Sequence, residues 1–328
     1  MHSLTRRRAL ALGGAVAAMG ASPVAGRAMP FERGDVVVGC TQLNNPTDDH
    51  RGRGRLLHYD AALKLKNTLW LDDTTHIVQG TRFAPDGTLW AFDAFAYKIV
   101  RFNKRGHRLP NFAAPRRSFA HISFAPDGNF YLGENFVGDK SRVALHTTIP
   151  YMPGTRSFGD GHLFKFSPRG KLLREYKTRT HGGIGGFQGL TASVLTKDGR
   201  SVIYTSESGP KIFHYDLAND RQLPDVVSYA DNSGHFYFDL AFDRSGQLLV
   251  VSGLKIEALD MQGKTLREYP LQSFGWASMS EPVGDAHVYA SNFFSGEIAK
   301  ISLKTARILA SAQTGIHKSL AGVAEFAG

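Results

Sequence analysis

The stretch Phe119–Asn135, FAHISFAPDGNFYLGEN, reads as a hairpin. Ile122–Phe124 and Phe130–Leu132 have the short apolar pattern of strands, and Ala125-Pro126-Asp127-Gly128 between them has the Pro and Asp-Gly chemistry of a tight turn. A hairpin brings its outer ends together. His121, just before the first strand, and Glu134, just after the second, are therefore expected on one rim.

The pattern recurs on both sides of this stretch. Phe83–Trp90, Leu195–Tyr204, Phe242–Leu249 and, more loosely, Met279–Tyr289 repeat the hairpin. Each hairpin is followed by an alternating strand ending in a turn residue, as in Val100–Asn103, Phe164–Ser167, Phe213–Asp216, Glu257–Asp260 and Ala299–Ser302, with Leu56–Asp60 ahead of them all. From Tyr59 through Phe102, Phe166, Tyr215 and Leu259 to Ile301 the intervals are 43, 64, 49, 44 and 42 residues. A period of about forty residues built from four short strands predicts propeller blades, six of them. The first unit lacks a leading strand, because nothing pairs ahead of Asp35–Cys40. Leu320–Phe326 has the pattern of one, so the C-terminus is expected to complete blade 1 and close the ring, leaving no open sheet edge.

Two intervals are long. One surplus is 136–160, between the second and third strands of blade 3, and the other is Thr180–Gly189, THGGIGGFQG, just before blade 4. Both are expected on the face that carries His121 and Glu134, opposite the hairpin turns. Long loops in compact domains are commonly functional.

Residues 1–28 are of another kind. Thr5-Arg6-Arg7-Arg8-Ala9-Leu10 leads into a small-residue apolar run, Ala9–Ala21, and resembles a twin-arginine export signal. The run is shorter than the about 18 apolar residues of a membrane span. The expected mature unit is a propeller over 35–328, periplasmic or extracellular, with no transmembrane segment. The formal charge of +10 falls to about +6 once Arg6, Arg7, Arg8 and Arg27 are removed. No basic stripe interleaved with aromatics accompanies it, which argues against a nucleic-acid partner and for a small-molecule ligand; nothing in the sequence points to a particular protein partner. Cys40 is the single cysteine, so no intramolecular disulfide supports the fold.

The blade pattern also places candidate chemistry. Asp93, Glu134, Glu207, Ser252 and Asn292 stand where second strands end, and Gln79, His121, Gln188, Asp239 and Trp276 near where first strands begin. These two sets are expected to converge around the axis. For Asp93, Ser252 and Asn292 the plainer reading is bonding to backbone in the following loop. His121, with Glu134 fixing its tautomer, is the candidate catalytic base. Carboxylates such as Glu207 and Asp239 suit a hard divalent ion, Ca²⁺ or Mg²⁺. Arg117, His181, His235, Trp276 and Asn292 are candidate substrate contacts. His76, His235 and His317 occupy equivalent lead-in loops, where capping or packing is the plainer role.

FAPDGTLWAFD, FAPDGNFYLGE and KDGRSVIYTSESGPKIFHYDL resemble blades of the six-bladed propellers of the gluconolactonase/senescence-marker, streptogramin lyase and NHL-repeat group. Gluconolactonase-like enzymes hold a divalent metal with a Glu, an Asn and an Asp at inner-strand starts. By that resemblance Asp239 in FDLAFDRSG matches the Asp, Gln188 in FQGL lies near the Asn, and Gln79 in VQGTRF lies near the Glu. Two of the three ligands are thus changed. Streptogramin lyases pair a His at an inner-strand start with a Glu at the next strand's end and use Mg²⁺; AHISFAPDGNFYLGE matches that arrangement in blade 3 alone. The resemblance implies an exported metal-assisted hydrolase or lyase opening a lactone or related ester. The alternative is a non-catalytic propeller that binds a ligand or protein on the same rim.

Overall fold

A computed structural model describes residues 28–46, 48–74, 80–138, 159–184, 186–284 and 286–328. The leader, His76, Gln79 and positions 139–158 of the blade-3 insertion lie outside the described residues. Among the described residues there is no helix, and so none long and apolar enough to cross a membrane. The strands form six antiparallel sheets, the blades of a propeller.

Blade 1 has the order that the sequence predicts. Leu320–Glu325 is its first strand and pairs with Val36–Asn45, which is followed by Asp48–Tyr59 and Leu65–Leu71. The last strand of the chain thus closes the ring on the first. The inner strands of blades 2 to 6 are Thr81–Phe83, Phe119–Phe124, Ala192–Leu195, Leu240–Phe242 and Trp276–Met279.

The repeated Pro-Asp-Gly turn explains why the hairpins form. In blade 3 the Gly128 amide donates to the Ala125 carbonyl at 3.0 Å, and the Asp127 carboxylate accepts from the Asn129 amide at 3.0 Å. Gly128 sits at φ 82°, a conformation that a side chain opposes. Blade 2 repeats the arrangement with Ala84, Asp86, Gly87 and Thr88.

Strand alternation then builds the core between blades. Val37 joins Leu56, Leu89 and Val100 against blade 2, whereas Val36 and Val38 join Tyr289 and Ile298 against blade 6. Each of the six blade interfaces holds one such cluster. Between blades 2 and 3 the filling is aromatic, with Phe130 stacked on Phe166 at 5.4 Å and Trp90 and Phe112 around them. Cys40 is buried in the blade 1–6 cluster, and burial pushes its thiol up to about 11. It is inert packing.

Candidate functional site at the axis

The blade-3 pair does not act as a unit. The inner strand starts at Phe119, three residues earlier than the sequence suggests, and a bulge places Phe119 opposite Glu134 and His121 opposite Gly133. Glu134 is fully buried and already engaged. Its Oε1 accepts from Arg117 Nη1 at 3.0 Å, and its Oε2 accepts from the amides of Asp160 and Gly161, both at 3.0 Å, and of His162 at 3.3 Å. Glu134 therefore anchors the returning end of the insertion. The packing explains Gly159, where a Cβ would stand 2.0 Å from the carboxylate. Arg117, expected at substrate, is the counter-ion of this anchor.

His121 lies in the wall of the axis, 2% exposed. The Ser193 amide donates to its Nδ1 at 3.4 Å, which leaves the ring hydrogen on Nε2. That Nε2 is buried and has no partner among the described residues. Burial, reinforced by the Arg82 guanidinium and opposed by Asp239, lowers its pKa to about 3. A ring so reluctant to take a proton is a poor general base at neutral pH and a ready N–H donor. In this geometry His121 offers a donor rather than a free basic nitrogen.

Asp239 differs equally from its expected role as a metal ligand. Its Oδ2 accepts from Ser278 Oγ at 2.8 Å and the Met279 amide at 2.9 Å, and its Oδ1 from the Leu240 amide at 2.8 Å and Arg82 Nη2 at 3.3 Å. A guanidinium stands where a cation would approach. Trp276, the expected substrate contact, is wholly buried in the blade 5–6 core.

Several unpartnered polar atoms lie on the contiguous ends of blades 3 and 4. Both polar atoms of the Asn135 side chain, and Gln188 Oε1, are buried without partners among the described residues. Gly189 donates its amide to the Asn135 carbonyl, and Gly183 packs against both the Gln188 side chain and the Glu207 carbonyl. Glu207 is half-buried, and its amide donates to Thr191 Oγ1 at 2.8 Å. Burial, and then the Asp239 charge, push its carboxyl up to about 7. Buried polar groups are nearly always satisfied in folded proteins, so this concentration of unpaired donors and acceptors marks a place prepared for a partner. The oxygen atoms of Asn135, Gln188 and Glu207 have the chemistry that a hard divalent cation takes. Asn135 escaped the sequence reading although it closes the hairpin stretch; Arg82, within the ordinary strand Thr81–Phe83, carried no signal at all.

Beside these groups the face divides in two. Over blades 5 and 6, Phe274 and Phe294 are exposed and stacked at 6.0 Å, with Phe236 at 6.3 Å from Phe274. Asn292 builds this shelf from below, donating to the Phe274 carbonyl and accepting from the Phe294 and Ser295 amides. His235 stacks on Tyr229 at 3.7 Å, and His181 Nε2 pairs with Asp231 at 3.0 Å, joining two lead-in loops. Over blade 3 the face is charged. Asp160, His162 and Glu175 bring ligand atoms within 4.8 Å of one another, a group that could hold a metal ion. The plainer readings of Asp93 and Ser252 hold, since Asp93 accepts from two following amides and Ser252 bonds the Lys255 carbonyl.

No protein-family profile and no curated protein matches the chain. Solved structures do match. The nidogen/laminin complex superposes with a TM-score of 0.63 at 12% identity, covering 89% of this chain and 98% of that one. A protein of unknown function from Bacteroides caccae gives 0.62 at 13%, covering 90% and 100%. A catalytically inactive virginiamycin B lyase from Staphylococcus aureus, determined with quinupristin, gives 0.52 at 15%, covering 90% and 91%. The chain shares the six-bladed propeller fold of these proteins. At such identities the likeness is one of fold, consistent with the group that the blade motifs resemble.

Proposed function

We propose that the protein is a cation-assisted hydrolase or lyase that opens a lactone or related ester at the axial mouth of blades 3 and 4. The observation that carries this reading is the set of unpartnered polar groups on Asn135, Gln188 and His121, together with the Glu207 carboxyl that burial pushes up to about 7. The oxygens of Asn135, Gln188 and Glu207 would hold Ca²⁺ or Mg²⁺. Such an ion, when bound, polarises a carbonyl oxygen. Glu207 is the one group of the set that carries negative charge, so cation and proton compete for it. Without the ion, burial pushes its carboxyl up to about 7, and binding the ion releases that proton. His121 Nε2–H supplies a fixed donor in the wall, and the Phe274–Phe294 shelf covers an apolar portion of the ligand. Delivery to the periplasm or beyond by the twin-arginine-type leader belongs to the same reading.

A non-catalytic, ligand-binding propeller is the second reading, favoured by the exposed aromatic shelf, since exposed apolar patches of this kind often mark binding surfaces. A panel of lactones and esters, run with added Ca²⁺ or Mg²⁺ and with chelator on wild type and Glu207→Gln, separates the two. Cation-dependent turnover lost in the variant supports the enzyme. Ligand binding without turnover under every condition supports the second reading.

A further inference from the structure

The opposite end of the axis carries a second cavity, of about 490 Å³, lined by the hairpin turns of blades 2, 5 and 6 and the end of the closing strand. Its character differs from that of the upper mouth. Arg82 forms one wall, with a side chain only 3% exposed. Its Nη1 donates to the Met279 carbonyl at 3.1 Å and its Nη2 to Asp239, but its Nε has no hydrogen-bond partner among the described residues. A second acid, Glu281, forms a loose ion pair with that Nε, its Oε1 standing 3.7 Å away, beyond hydrogen-bond reach, on a side chain that is 59% exposed. Arg244 also lines the cavity, is exposed, and has no ion-pair partner among the described residues. Glu325, the other acid of the lining, is occupied by His287 at 3.1 Å. The remaining wall is aromatic: Phe83 and Phe326 lie 5.0 Å apart, with Phe124 beyond them.

We propose that this lower cavity binds a small organic carboxylate with an apolar body, independently of the upper mouth. A buried guanidinium with a free N–H, next to an unpaired exposed one, offers two charged donors to one anion. Such charge-assisted bonds are roughly twice as strong as neutral ones. Phe83, Phe124 and Phe326 exclude water around the rest of the molecule. Glu281 is then a weak internal competitor, a carboxylate of the chain that pairs with Arg82 loosely and without a hydrogen bond. A ligand carboxylate displaces it.

Benzoate tests the proposal, with benzamide as its uncharged counterpart, by isothermal titration of the full chain. For a ligand of this size the expected Kd is on the order of 1 mM. Benzamide should bind about tenfold more weakly or not measurably, since it lacks the charge. Arg244→Gln should weaken benzoate by about tenfold, and Glu281→Gln should tighten it, because the competing carboxylate is gone. Both residues are exposed, and an unchanged melting temperature confirms that the variants fold. Equal binding of benzoate and benzamide, benzoate binding indifferent to both substitutions, or no binding by Glu281→Gln overturns the proposal. None of these outcomes bears on the upper mouth.

Discussion

Arg82 of blade 2 and Asp239 of blade 5 meet across the central axis at 3.3 Å, two residues 157 positions apart that join opposite blades. The pair is buried, with 3% and 8% side-chain exposure, so each charge depends on the other. Asp239→Asn is expected to cost about 3–5 kcal/mol in urea unfolding, because it strands the guanidinium in the interior. Added Ca²⁺ should not restore the loss. If Asp239 were a metal ligand, the loss would follow the metal.

Glu134 makes a comparable prediction for the rim. Glu134→Ala removes the acceptor of three amides and of Arg117 and is expected to cost about 2–4 kcal/mol. Cation binding at the axis should survive in the folded variant. Denaturation and cation titration on the same preparation check the two halves.

His121 sets a pH dependence whose sign follows from its burial. Its folded pKa, about 3, lies below the ordinary 6.5. Between those values the unfolded chain binds a proton that the folded chain refuses, so stability falls as the pH is lowered through this window. His121→Gln, which cannot titrate, should flatten that limb by an amount of order 2 kcal/mol. Unfolding curves of both proteins from pH 7 to pH 4 provide the check.

Closure of the ring by Leu320–Glu325 predicts that a chain ending at residue 319 loses cooperative unfolding. Val36–Cys40 would then be an open, apolar edge prone to pairing with other chains. Size-exclusion chromatography of the truncated chain should show association beyond that of the full chain.

The propeller was legible because its cause is local: Pro-Asp-Gly turns, alternating strands and an unpaired first strand are all written within a few residues of one another. The closing strand could be found because Leu320–Phe326 carries the same alternation. The site was less so. Glu134 closes its strand, but His121 lies inside the first strand rather than just before it, one bulge separates their partners, and the donors that occupy Glu134 come from Asp160, Gly161 and His162, across the insertion. The Arg82–Asp239 pair depends on ring closure and leaves no trace in either local sequence. Asn135 looks like a loop polar, and only its lack of partners sets it apart, whereas Gln188 could be singled out because FQGL resembles a family ligand position.

Isothermal titration of Ca²⁺ and Mg²⁺ into wild type and Glu207→Gln tests the axial oxygens as a cation site most directly. One ion is expected to bind the wild-type protein and to be lost in Glu207→Gln, with the fold intact. Binding unaltered by that substitution would place the ion elsewhere, at Asp160, His162 and Glu175 first of all, and would contradict the axial site.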